Sequence, residues 1–292
     1  MQWQMQNGPT SRTYLSQRLR LHYLEWGDSN APPLLLVHGG RDHAHSWDWV
    51  AMALRAEWRV IVPDLRGHGD SAWSPDGDYS HAAYIYDLAQ LIHQLQLAPV
   101  TIVAHSLGGS VSLRYAGIYP QNVRKIVAIE GLGLPPKMLA ERAAIPAQGR
   151  WEKWIEEKRA MAARSPRRYA SVAEALARMR TENRHLSEEQ ARYLTDHGIS
   201  QNEDGTFSWK FDNYVRGTLW VDIPQEELHA LWGAITCPTL LCTGELSWAS
   251  NPDIDGRSKY FSNARTVAFP GAGHWPQHDQ FELFMAELRA FL

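Results

Sequence analysis

A serine stands where an apolar run meets a segment of helical character, at Ser106 in VTIVAHSLGGS. Its neighbours Ala104 and Gly108 are small, as a sharp bend from strand to helix requires. A serine at such a bend can act as a nucleophile once a base takes its proton. It could also simply cap the helix. We favour the nucleophile because a strand precedes Ser106 and two glycines follow closely.

Histidine is the side chain that can accept a proton near neutral pH, and the chain has thirteen. His274 is the best placed, in the glycine-flanked loop GAGHW between the last apolar run and the C-terminal helical segment. A surface loop histidine is the alternative. His38 and His105 are predicted to be structural. No third metal-ligating residue lies at a spacing from His43 and His45 that is typical of a metal site, so we expect no metal and no cofactor.

Short apolar runs alternate with helical segments and could position these residues. The runs are 19–26, 33–39, 58–65, 99–106, 123–131, 238–244 and 264–271, and the helices 47–56, 80–96, 107–119 and 276–291. Continuous apolar strands separated by helices are typical of a mostly parallel sheet covered on both faces. The intervening stretch is rich in Ala, Arg and Glu, which favours helix. We predict an α/β fold with a core of residues 1–134 and 236–292 and a helical cap of residues 135–235.

Four motifs occur in a fixed order along the chain: HGG at 38–40, DLRGHGDS at 64–71, the Ser106 segment, and GAGHW at 271–275. On these motifs the chain resembles the α/β-hydrolase fold enzymes over nearly its whole length. The resemblance implies that Ser106 is the nucleophile and His274 the base. The amide of Leu107, at the start of the helix, and by resemblance that of Gly40 would form an oxyanion hole. A plain turn is the alternative for the glycine pair.

The acid that should orient the histidine is not at its usual place. Most members of the family carry an aspartate a few residues beyond the glycine that ends the seventh strand, and here that position falls on Ser247. Glu130 lies at the end of the apolar run 123–131, directly after VAI, and some relatives take their acid from that strand. An acid among apolar residues needs a partner, so we predict Glu130. Asp253, Asp255 and the absence of any acid stay open.

Composition excludes several classes of partner. A formal charge of −3 leaves no basic stripe for nucleic acid, and no stretch approaches the length of a membrane span. The first twenty residues lack the apolar run of a secretion signal. We expect a cytoplasmic protein that acts on a small molecule, with its oligomeric state open.

The chain has thirteen tryptophans, many for its length. Four lie near the predicted site, Trp49 among them, and we predict that the other three line an apolar substrate pocket: Trp47, Trp248 and Trp275. Others lie in the predicted cap: Trp151, Trp154, Trp209 and Trp220. Core packing is the alternative for each.

The predicted function is a serine hydrolase that cleaves an ester-like bond of a small apolar substrate through an acyl-enzyme. Family members that cleave carbon–halogen bonds or open epoxides use an aspartate nucleophile, so Ser106 argues against both reactions. Two alternatives stay open: carbon–carbon bond hydrolysis of a diketone or ring-cleavage product, and noncatalytic binding of a small ligand. The motifs do not identify the natural substrate.

Overall fold

The computed structural model describes residues 8–217 and 222–292. The strands are β1 (Thr10–Ser16), β2 (Leu19–Trp26), β3 (Pro33–Val37), β4 (Arg59–Pro63), β5 (Val100–His105), β6 (Val123–Ile129), β7 (Ile199–Gln201), β8 (Phe207–Trp209), β9 (Thr239–Gly244) and β10 (Ala264–Phe269). The α-helices are α1 (Asp48–Leu54), α2 (His81–Gln94), α3 (Ser106–Ile118), α4 (Pro136–Ala143), α5 (Ala147–Ala162), α6 (Val172–Glu182), α7 (Glu188–Gly198), α8 (Gln225–Gly233), α9 (Pro276–Asp279) and α10 (Phe281–Phe291). None of these described helices is long and apolar enough to cross a membrane.

Eight of the described strands form one sheet, in the order β1-β2-β4-β3-β5-β6-β9-β10. β2 pairs antiparallel with β1 and β4, and the other pairs are parallel. The predicted mostly parallel α/β sheet is confirmed, and all seven apolar runs lie in it. β1 was not predicted, because only two of its seven residues are buried and the strand carries little apolar signal.

Hydrophobic residues cover both faces of the sheet. Along β3, Leu35 and Val37 pack into one cluster with residues of α2 and α3, whereas Leu34 and Leu36 pack into another with residues of α1 and α10. Side chains alternate between the faces of a strand, so a central strand buried on both sides must be apolar throughout. The parallel strands β5, β6 and β9 end at one edge, which brings the residues that follow them together.

The stretch predicted as a cap contains α4 to α7 and the small β7–β8 hairpin. Helix α8 lies inside the same predicted range but packs on the core. Leu228 and Trp232 of α8 are buried in the cluster that contains Tyr115 of α3. The core packing therefore resumes before residue 236, because α8 has an apolar face that covers α3.

The carboxylate of Asp64, directly after β4, is buried and accepts three hydrogen bonds. They come from the amide of Ala44 (2.7 Å), the amide of Asp70 (3.0 Å) and Nδ1 of His22 (2.7 Å). Burial by itself raises the pKa of Asp64, but the hydrogen bond from His22 and nearby charges outweigh it and hold the pKa below its usual range. His22, Asp64 and Asp70 are close enough to hold a metal, yet both Asp64 oxygens already accept protein hydrogen bonds.

We expect Asp64→Asn to lower the free energy of unfolding at pH 7 by about 3 kcal/mol, because an amide NH2 cannot accept the hydrogen bonds made to Oδ2. A carboxyl group with a lower pKa in the folded protein than in the unfolded chain stabilises the folded protein above its unfolded pKa of about 4. This stabilisation is lost as the pH falls from there towards the folded pKa. Urea denaturation at pH 7 and pH 3 should show a smaller difference from wild type at pH 3. Exposed Asp28→Asn is the control, and an Asp64→Asn variant as stable as that control contradicts the prediction.

Candidate active site

Ser106 lies at the bend between β5 and α3. Its φ is 50°, a left-handed conformation that L-residues adopt only where their surroundings require it. The helix that follows approaches β3 closely: a Cβ at Gly108 would lie 2.5 Å from the carbonyl oxygen of His38. The small residue predicted there is thus required by packing. The bend leaves the serine half-buried, on the wall of a cavity.

His274 lies in the loop between β10 and α9, and its Nε2 is 2.9 Å from the Ser106 hydroxyl oxygen. His105 packs beside it, with the two ring centroids 4.9 Å apart. Nε2 of His105 is 2.8 Å from the carbonyl oxygen of His274, so that nitrogen donates. Burial, together with nearby His274, lowers the pKa of His105 and keeps the ring neutral. The histidine predicted as structural therefore holds the backbone of His274.

Glu130 directly follows β6, and its side chain is fully buried. One carboxylate oxygen lies 3.3 Å from Nδ1 of His274 and accepts a hydrogen bond from the Ser247 hydroxyl at 2.7 Å. The other accepts from the Thr243 hydroxyl at 3.0 Å and the Gly244 amide at 2.6 Å. The end of β9 thus supplies three donors to this carboxylate. Ser247, at the family's usual acid position, contacts the acid of the neighbouring strand.

The two other candidate acids lie elsewhere. Asp255 forms an ion pair with Arg257 at 2.8 Å. Asp253 accepts a hydrogen bond from the Thr266 hydroxyl on β10. Within residues 8–217 and 222–292, neither carboxylate contacts His274. The structure therefore brings Ser106, His274 and Glu130 together and leaves the loop aspartates out.

The loop after β3 passes against the serine. A Cβ at Gly39 would lie 2.7 Å from Nδ1 of His105 and 3.1 Å from Cβ of Ser106, so only glycine fits without movement. Gly40 and Leu107 both line the cavity, and neither amide donates a hydrogen bond to the described parts of the chain. Unpaired amides in this position can stabilise an oxyanion.

His38 holds this loop, in agreement with the structural role predicted for it. Its Nδ1 donates to the Gly39 carbonyl at 2.7 Å, and its Nε2 accepts from the Leu65 amide at 3.0 Å. Burial lowers the pKa of His38 to about 3, so the ring stays neutral and can make both hydrogen bonds. The next two histidines along the chain also contact protein groups. His43 donates to the Leu194 carbonyl, and His45 bonds to Asp48.

The cavity at Ser106 has a volume of about 530 Å³. Trp248 and Trp275 line it, as predicted. The prediction for Trp47 is wrong: only 1% of its surface is exposed, and its ring packs in the core cluster with residues of α1. The short 3-10 turn before α1, Ala44–Trp47, directs that ring inward. Trp220 lies outside the described residues.

Polar and charged residues also line this cavity, which differs from the apolar pocket predicted. Besides tyrosines, they include Arg41, Lys158, Glu182 and Arg184. The sequence reasoning also missed Thr243, whose contact with Glu130 joins residues 113 positions apart. No local pattern signals such a contact, although a polar residue ending a buried apolar strand is a weak hint.

Comparison with known proteins agrees with this fold. A family model described as alpha/beta hydrolase fold matches residues 32–281, most of the chain. The chain belongs to the alpha/beta hydrolase fold family. The ordered motifs that first suggested the family all lie inside the matched range.

Two relatives and one solved structure are similar to this alpha/beta hydrolase over much of its length. An esterase of Mycobacterium tuberculosis is 27% identical over 290 residues, covering 98% of this chain and 91% of the relative. A serine hydrolase-like protein of Danio rerio is 26% identical over 213 residues, covering 70% of this chain but only 63% of the relative. The crystal structure of E-2-(acetamidomethylene)succinate hydrolase aligns with a TM-score of 0.78 at 24% identity, covering 97% of this chain and 99% of that one, and supports the fold alone.

Proposed function

We propose that this alpha/beta hydrolase cleaves an ester-like bond through an acyl-enzyme on Ser106. The observation that carries the proposal is the continuous set of contacts from the Ser106 hydroxyl to Nε2 of His274, at 2.9 Å, and from Nδ1 of His274 to Glu130, at 3.3 Å. Similarity to an esterase over nearly the whole chain supports the same reaction class.

The chemistry divides into two acyl transfers. Oγ of Ser106 attacks the carbonyl carbon while Nε2 of His274 takes the hydroxyl proton. The amides of Gly40 and Leu107 stabilise the oxyanion. When the oxyanion collapses, His274 returns the proton to the leaving alcohol and the acyl group stays on the serine. Water, deprotonated by the same nitrogen, then attacks the acyl-enzyme and releases the acid.

Glu130 acts on His274 in this proposal. A buried carboxylate facing Nδ1 keeps the proton on that nitrogen, so that Nε2 can accept from the serine, and it stabilises the imidazolium that forms. Its hydrogen bonds with Thr243, Gly244 and Ser247 fix its position. The helical segment from residue 135 to α8 would act as the cap, because lining residues of the cavity such as Lys158 and Glu182 come from it.

A fluorophosphonate probe tests the proposal, since it reacts with activated serines. We expect covalent labelling of the wild-type protein, mapped by peptide mass spectrometry to Ser106, and turnover of p-nitrophenyl esters in a panel of increasing acyl length. Absence of both labelling and ester turnover would favour noncatalytic ligand binding. Labelling with turnover of a 1,3-diketone but no ester would favour carbon–carbon hydrolysis.

A further inference from the structure

A second cavity, of about 430 Å³, adjoins the one that contains Ser106. The two share five lining residues: Gly40, Arg41, Glu182, Asn183 and Trp275. Arg41 follows the proposed oxyanion residue and has a φ of 64°, a conformation uncommon for arginine. A substrate whose carbonyl binds at Ser106 can therefore extend past this loop into the second cavity.

Basic residues dominate the lining of the second cavity and outnumber acidic ones five to two. We call it the basic cavity, after Arg41, Arg167, Arg178, Lys210 and Arg216. They come from the loop after β3 and from four separate points of the inserted segment. Such convergence of cations on one concave site creates a positive potential that attracts anions.

Protein carboxylates neutralise only part of this charge. Arg178 pairs with Glu182, and Lys210 pairs with Asp70 at 2.8 Å. The other acid of the lining, Asp42, accepts a hydrogen bond from the backbone amide of the next residue. In the described part of the chain, the three remaining cations of the basic cavity form no ion pair with a carboxylate. Their guanidinium groups are thus available to a bound anion.

Aromatic rings orient two of these free guanidinium groups. The guanidinium of Arg216 lies 5.0 Å from the ring centroid of Phe211, and that of Arg167 lies 5.2 Å from that of Tyr169. Burial, and then the nearby charge of Arg41, lowers the pKa of Arg216. Like charges that line the same cavity repel each other, and an anion between them would relieve the repulsion.

We propose that the basic cavity binds an anionic end of the substrate, a carboxylate or a phosphate. The inference rests on the proposed function, because it adds a substrate class to the same site. Arginine presents paired N–H donors that match the oxygens of either anion. The aromatic residues near Ser106 would contact the segment next to the scissile bond, and the charge would lie beyond Arg41.

Three matched p-nitrophenyl esters test the proposal. The first is the monoester of adipic acid, which ends in a carboxylate. The second is its neutral monoamide, and the third replaces the carboxylate by a phosphonate. We expect kcat/KM for at least one anionic ester to exceed that for the amide by about tenfold, the effect of a charge-assisted hydrogen bond. The anionic ester with the higher kcat/KM shows whether the cavity prefers a carboxylate or a phosphate-like group. Added salt should reduce the difference in kcat/KM between the anionic esters and the amide.

The variant Arg216→Gln should reduce this preference about tenfold, because it removes an unpaired guanidinium without leaving an acid unpaired. Arg180→Gln on α6 is the control, since it makes the same substitution at an exposed side chain that does not line the cavity. Its ion pair with Glu188, at 3.9 Å, lies between two exposed side chains and contributes little. The Arg180→Gln variant should keep the wild-type preference. Equal rates on all three esters, or a preference unchanged in Arg216→Gln, would overturn the inference while the proposed function stands. No turnover of any ester would instead remove the proposed function.

Discussion

The Ser106→Ala variant is expected to hydrolyse its best p-nitrophenyl ester with a kcat about 10⁵-fold below wild type, because no other group can form the acyl-enzyme. Alanine leaves the backbone bend unchanged and removes only the hydroxyl that lies 2.9 Å from His274. Steady-state release of p-nitrophenol, measured over hours for the variant, gives both rates. Labelling by the fluorophosphonate probe should disappear together with the activity.

The exposed Ser29→Ala is the control for this measurement, and it should keep the wild-type rate and labelling. Thermal unfolding of both variants checks that the fold is retained. If folded Ser106→Ala kept more than a few per cent of the wild-type rate, the nucleophile would lie elsewhere.

The Glu130→Gln variant is expected to lose about 10³- to 10⁴-fold in kcat, the loss caused by a wrong histidine tautomer. Donors from Thr243 and Gly244 face one carboxylate oxygen, so the glutamine carbonyl must take that place. The NH2 group then faces Nδ1 of His274, which has to accept. The proton moves to Nε2, and this nitrogen can no longer accept from the serine.

Ser247 allows a rescue experiment on this variant. Its hydroxyl lies 2.7 Å from the Glu130 oxygen that faces His274, so an aspartate at 247 would place a carboxylate near Nδ1. We expect the double variant Glu130→Gln/Ser247→Asp to recover about tenfold over Glu130→Gln in kcat. Asp253→Asn serves as the control and should stay near the wild-type rate. A Glu130→Gln variant with the wild-type rate would contradict the assignment.

Much of the core fold could be predicted from local patterns. Each apolar run became a strand of the large sheet, because strands buried on both faces must be continuously apolar. Local patterns did not predict two elements, one at the edge of the sheet and one at the end of the predicted cap. The edge strand β1 buries only two residues and so carries no such run. Helix α8 was predicted to be part of the cap from its position in the sequence, although its apolar face packs on α3.

The sequence by itself determined the family, the strands of the sheet, and the position of Ser106 at a bend and of His274 in a glycine-flanked loop. These features depend on residues that are neighbours in the chain. Only the tertiary structure decided which carboxylate meets His274, since Glu130 and its donors at the end of β9 approach one another through strand pairing. The same holds for Trp47, which the 3-10 turn directs into the core, and for the basic cavity. Its cations are far apart in the chain, and no spacing in the sequence reveals that folding gathers them.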